Sequence, residues 1–288
     1  MHKFLRSIGF AEIKKADLKM ILDEAVERPN RVKVTKDSEG NELIEFGKQY
    51  GDGFGIIVRG SIDEEENFRM DYYVPYVEGE ELSTGAQIDI EKHAEKESYA
   101  GICDDIRLGV SLIFYVQNVA DFLSEYRHNI YTKDIHGASL SGLSTEGRIL
   151  LPVQQDGVKN QASKADKRNE LIAQARTGKE EAMESLALAD LEIYNSISNR
   201  LKKEDVLSIV DTTFMPYGIE SDHYGVIGTI LEVKQTENNI TDEKVYILKV
   251  KCNDIVFTIS INALDLIGEP QVGRRFRGSI WMQGNLNL

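Results

Sequence analysis

Cysteine is almost missing from this chain: Cys103 and Cys252 are the two thiols in 288 residues. They sit far apart, and neither has a CxxC partner, which excludes a disulfide framework and a cysteine-based zinc site. Histidine is equally sparse. His2, His93, His128, His136 and His223 fall in no HxxxH, HxH or HExxH spacing, so no metal is expected. No apolar run approaches the roughly 20 residues of a membrane helix. The opening MHKFLRSIGFAEIKKADL has no long apolar core and turns charged at once, so no signal peptide is expected and the expected setting is cytoplasmic, away from any membrane. Positive charge is also short: 34 Lys and Arg against 48 Asp and Glu leave a net charge of −14. Such a surface opposes adhesion to nucleic acid, which makes a nucleic-acid partner unlikely on charge.

What is present is alternating and helical patterning that divides the chain into an expected α+β domain over 1–155, a linker and helical connector over 156–215, and a small β-barrel domain over 216–288. In the first segment Leu18, Ile21, Leu22 and Ala25 recur at helical spacing, with Asp17 as the expected N-cap. Arg31–Thr35 and Leu43–Phe46 flank the turn formers Asp37 to Asn41, a hairpin pattern. Further strands are expected over Phe54–Ile62, Asn67–Val77, Ala86–Glu91, Arg107–Gln117 and Arg148–Val153. In Asn67–Val77, Phe68, Met70, Tyr72, Val74 and Tyr76 share one face, and Pro75 suggests an edge strand. Arg107–Gln117 reads as central, and Asn118 caps a helix over Val119–His128. The fold class is therefore α+β: a mainly antiparallel sheet with flanking helices, then a helical connector.

Thr177 to Leu201 carries the longest helical signal, opened by a Thr177/Glu180 capping box. At 1.5 Å per residue it predicts a rod of about 36 Å. Shorter helices are expected over Ser163–Arg176 and Glu204–Val210. Beyond them, four strand candidates (Tyr224–Val233, Val245–Cys252, Ile255–Ile261 and Arg274–Met282) suggest a barrel of OB-like or related type. Each of the two outer segments is expected to hold its own core, tied to the other through the rod.

Three stretches carry a family resemblance: Met1–Phe10, Phe214–Asp222, and Cys252–Phe257 continuing to Gly268–Gly284 with its GEPQVGRRFRGSIWMQG string. Together they resemble domain of unknown function 3881, a family of Gram-positive anaerobes. The resemblance implies a bacterial cytoplasmic setting and brings no activity, cofactor or catalytic residue with it.

Motif by motif, chemistry is scarce. Gly51-Asp-Gly53-Phe-Gly55 precedes a strand, where a dinucleotide fingerprint must follow one, so it reads as a bulge or a hairpin turn. His136-Gly-Ala-Ser-Leu-Ser-Gly142 lacks the second glycine of a nucleophile elbow and reads as a loop. Acidic runs at 63–66 and 78–81 read as solvated charge. Asp104 and Asp105 are the carboxylates to inspect for acid–base work. No catalytic residue or cofactor is assigned. The last strand is the richest: Arg275, Arg277, Ser279 and Trp281 share one face. Arg275, Arg277 and Trp281 could clamp a ligand such as a nucleotide or an acidic peptide. Given the acidic whole, the favoured reading is instead that Trp281 packs against the long helix, with the arginines paired to its Glu181, Glu184 or Glu192. Leu188 and Leu191 lie off the main apolar stripe of that helix and offer a surface for a protein partner or homodimer. The expected function is a non-catalytic binding or scaffold protein with the terminal barrel as recognition module. The alternatives are a hydrolase or transferase acting in the cleft between domains, or a structural homo-oligomer assembled through the long helix.

Overall fold

The computed structural model describes residues 2–63, 65–93, 96–128, 135–153 and 210–288, with 126–128 as backbone alone. Between 154 and 209 it describes only 171, 172, 174, 175, 179, 182, 183 and 185–188. Most of the expected connector, including most of the 177–201 rod and the Glu204–Val210 helix up to residue 209, lies outside the described residues. Those at 171–172, 174–175, 182–183 and 185–188 are helical.

Helix α1 (Lys15–Glu27) buries Leu18, Ile21, Leu22 and Ala25, the predicted stripe. It starts earlier than expected, with Lys14 at the cap position, so Asp17 sits in the first turn, where it complements the helix dipole. Strands β1 (Arg31–Lys36), β2 (Glu42–Gly51), β3 (Phe54–Ile62) and β4 (Phe68–Val77) form an antiparallel sheet in sequence order. Asp37 closes the first hairpin by accepting from the amides of Glu39 and Asn41 at 2.9 and 2.7 Å. Gly53 (φ 80°) turns the second. Pro75 lies on edge strand β4, as anticipated. The expected alternation along β4 fails, because a bulge opposite Arg59 and Gly60 flips the face midway. Met70 is therefore exposed, whereas Val74 to Val77 are all buried.

The second sheet has ten strands and is mixed. Strands β5 (Thr84–Lys92), β6 (Tyr99–Cys103) and β7 (Leu112–Val116) lead to α2 (Val119–His128) and then to β8 (Ile135–Leu150). Beyond the connector come β9 (Thr213–Pro216), β10 (His223–Glu237), β11 (Lys244–Cys252), β12 (Ile255–Asn262), β13 (Leu266–Ile267) and β14 (Arg275–Leu286). β7 is shorter than predicted. Residues before it form a loop in which Gly109 adopts φ 70° and Asp105 grips Arg107.

Strand β8 crosses the expected division. It belongs to the 1–155 segment, and its 136–142 portion was expected to be a loop. One of its edges pairs along β14; the other passes from β5 to β12 and then β13. The pairings β8–β14, β14–β10, β10–β11, β11–β12 and β12–β8 thus return to their start, with β12–β8 the parallel step. Residues 216–288 supply four strands of that circuit, and β8 supplies the fifth. One sheet therefore runs through both outer segments.

The cores follow the same rule. One cluster joins Leu112, Phe114 and Leu140 to Ile259, Phe276 and Ile280. The other joins Phe4, Leu5, Phe10 and the first sheet to Leu143, Val245 and Trp281. The amino-terminal 3-10 helix Lys3–Ile8 lies across the second sheet, held by Ser260 Oγ to Ser7 O (2.8 Å) and Asn238 Nδ2 to Ile8 O (2.7 Å). Arg59, fully buried, pins the sheets together. It donates to Glu45 Oε2 and the Tyr115 hydroxyl at 2.8 Å, Tyr72 at 3.1 Å, and the Gln117 carbonyl at 2.5 Å. Burial alone would pull this guanidinium down, but Tyr115 and Glu45 outweigh it and hold its pKa above the ordinary value. Among the described residues the architecture is mostly strand with few helices, less helical than the α+β expectation.

Candidate functional site

Cross-strand register lays out the outer face of β9, β10, β14 and β8 row by row. In one row Thr213, Ile227, Arg277 and Arg148 stand side by side, with Ile267 next to Arg148. The next row is Met215, Gly225, Ser279 and Glu146. A third carries His223 and Trp281, with Tyr217 bonded to the His223 carbonyl at 2.8 Å. Above the first two rows opens a cavity of about 620 Å³, which Tyr217 also lines.

Arg148 and Arg277 are directly paired across β8 and β14, and both are exposed. Neither has an ion-pair or hydrogen-bond partner among the described residues. Like charges opposite each other in a sheet repel, by up to about 1 kcal/mol. Glu146, one row on, accepts from Ser279 Oγ at 2.8 Å. A Cβ on Gly225 would meet nothing nearer than Tyr217 Cδ2 at 3.9 Å, so the missing side chain keeps the middle row open and the Tyr217 ring leans over it.

The third row is roofed. Trp281 is 5% exposed and stacks on Phe4 with centroids 5.3 Å apart, while His2 lies 4.9 Å away. Its Nε1 donates to Asp222 Oδ2 at 2.6 Å, and Asp222 Oδ1 is 2.9 Å from His223 Nδ1. Burial pushes the Asp222 carboxyl up, but the bonds from His223 and Trp281 outweigh it and hold the carboxyl below its ordinary value. His2 is lowered to about 4, by burial first and then by Lys3 and other neighbouring positive charge. His2 Nδ1 and His223 Nε2 are buried without a hydrogen-bond partner among the described residues.

Of the residues proposed from sequence, Arg277 and Trp281 do share a face. They are not brought together as a clamp, because Ser279 intervenes and the amino terminus covers the indole. Trp281 packs under Phe4 and His2, which the favoured reading of docking on the long helix did not anticipate. Arg275 is buried and turned to the backbone, with Nε on the Leu151 carbonyl at 2.9 Å and Nη1 on that of Val210. Burial holds its pKa below the usual value against the pull of Asp211. Leu188 is helical and 65% exposed. Leu191 lies outside the described residues. Sequence reasoning missed Arg148, Glu146, Tyr217 and Gly225. The alternation of Glu146 and Arg148 was readable, but their place beside Arg277 depends on strand register.

The residues considered for catalysis do not converge. Asp105 is bound by Arg107 (2.9 and 2.5 Å) and Thr84 (2.7 Å), which outweigh burial and keep it ionised. Asp104 accepts from Ser111 at 2.5 Å, and His136 is the second residue of β8. All three lie away from a second cavity of about 330 Å³ between the sheets, lined by Arg31, Tyr76, Glu78, Gln117 and Asp121 among others. Cys103 and Cys252 are buried, and their thiols are pushed up to about 12 by that burial. No group of three potential metal ligands occurs among the described residues. No described helix is long and apolar enough to cross a membrane.

The fold and face thus define a β-rich chain with an arginine-bearing groove. The family described as "Domain of unknown function, E. rectale Gene description (DUF3881)" matches residues 5–284, and the chain belongs to it. No curated protein and no solved structure matches the chain.

Proposed function

We propose that the protein is a non-catalytic binding module of the cytoplasm, with the groove on β8, β9, β10 and β14 as its recognition surface. The five-strand circuit is read as an OB-like barrel, completed by β8 and carrying the groove on its outer wall. The observation that carries this reading is the Arg148–Arg277 pair. In a chain with an excess of acid, two adjacent guanidinium groups without a carboxylate partner among the described residues face a cavity within the ~300–1,000 Å³ range of ligand sites. An anionic ligand would relieve their repulsion and gain charge-assisted hydrogen bonds. The two free buried thiols support the cytoplasmic setting.

The test is a thermal-shift screen of anionic metabolites and acidic peptides on the parent chain, the Arg148→Gln/Arg277→Gln variant and Gly225→Trp. The parent is expected to gain stability with at least one ligand. Without ligand the double arginine variant should melt at or slightly above the parent, since the repulsion between the two charges is gone, and neither variant should gain stability from any ligand. A ligand response that survives in both variants removes the groove as the site.

A further inference from the structure

Resting on the groove as a binding site, we infer that its ligand is a ribonucleoside phosphate, with the phosphate on Arg148 and Arg277 and the flat base beside Tyr217. Three features select this class. The first is charge. Two guanidinium forks on adjacent strands suit a dianion with several oxygens, and a phosphate monoester can engage both.

The second is shape. The cavity is far larger than an oxyanion needs, and its open middle row begins where Gly225 has no side chain. The Tyr217 ring, 53% exposed, leans over that row. The arginines stand one row on, about 7 Å along the strands, and one and two strands across from Gly225, so their backbone positions lie about 8 and 12 Å from the row under the Tyr217 ring, a gap that a nucleoside monophosphate spans with the arginine side chains reaching in. Rings of this kind stack on tyrosine irrespective of their hydrogen-bonding edges.

The third is the acid. Glu146 closes the β8 end of the middle row, two residues from Arg148, with one carboxylate oxygen engaged by Ser279 and the other uncommitted among the described residues. It would repel a second phosphate lying in the middle row, but it is the acceptor that a ribose diol requires. This argues for a single nucleotide over a polynucleotide, in keeping with the net charge of −14.

Calorimetric titration of the full chain would use adenosine monophosphate, its 2′-deoxy form, adenosine, inorganic phosphate, an oligothymidylate and a polyglutamate peptide. The expected order is the ribonucleotide tightest. Adenosine and phosphate alone should be at least tenfold weaker. Arg148→Gln/Arg277→Gln should weaken the nucleotide at least tenfold, and Glu146→Gln should erase the preference over the deoxy form. Inorganic phosphate binding as tightly as the nucleotide would overturn the inference, as would equal affinity for the ribo and deoxy forms in the parent. Tightest binding of oligothymidylate or of polyglutamate, lost in the double arginine variant, would overturn it while leaving the groove as a binding site. Binding of no anion at all would remove both.

Discussion

Acidification should undock the amino terminus, and the single tryptophan will report it. His2 has an ordinary pKa of 6.5 but about 4 when packed against Trp281 beside Lys3 and His223, with Asp222 pulling the other way. A base lowered by burial binds its proton more readily once exposed, so its stabilising contribution is complete above pH 6.5. That contribution is lost as pH falls from 6.5 toward 4. A gap of about 2.5 units corresponds to roughly 3 kcal/mol at most, of which about 2 kcal/mol is gone by pH 5. Asp222, held below its ordinary value, loses its own contribution at lower pH, beneath this window. The assay is Trp281 emission and acrylamide quenching from pH 7.5 to 4.5 on the parent and on His2→Gln, with urea midpoints at each pH. The parent should show a red shift and rising quenching between pH 6 and 4.5 as Phe4 and His2 leave the indole. The difference between parent and variant isolates His2 from His223 and from other titrating groups. Identical pH profiles for the two proteins would refute the assignment.

Arg59→Met should cost about 3–5 kcal/mol in urea unfolding, because Glu45 stays buried with Arg31, 3.4 Å away, as its remaining ion-pair partner among the described residues, and the Tyr115 hydroxyl and Gln117 carbonyl lose their donor; adding Glu45→Leu should restore only part of it. Gly9→Ala should lower thermal stability by roughly 1–3 kcal/mol, because Gly9 sits at φ 84° and its Cβ would fall 2.6 Å from Asn238 Cβ. A neutral result would show that the amino-terminal turn repacks freely. Cys103 and Cys252 should react with a thiol reagent at pH 8 only as fast as the chain unfolds, since burial holds both as thiols with values near 12. Prompt labelling of either in the folded chain would contradict its burial.

Features held by neighbours along the chain were legible. The α1 stripe, the Asp37 hairpin, the Gly53 turn and α2 each depend on residues within one or two turns of one another, and all appear where periodicity put them. The two-residue period also put Arg277 and Trp281 on one face. Pattern reading failed where distant chain decided the environment. Ser139, Ser141 and Gly142 read as loop because small polar residues lack strand periodicity. In the fold they are the pinched centre of a strand with neighbours on both sides: Gly142 lies under Ile280, and Ser141 bonds to Gln117 at 3.2 Å. Along β4, one extra residue opposite Arg59 and Gly60 inverted the alternation.

The site divides along the same line. That Arg277 projects outward from a strand follows from covalent geometry, since successive side chains on a pleated strand must alternate. That Arg148 faces it, that Tyr217 leans over Gly225, and that Phe4 seals Trp281 depend on pairings between segments separated by scores of residues. Such pairings are selected by the shared burial of Leu140, Ile259, Phe276 and Ile280, a condition that no local stretch of chain contains.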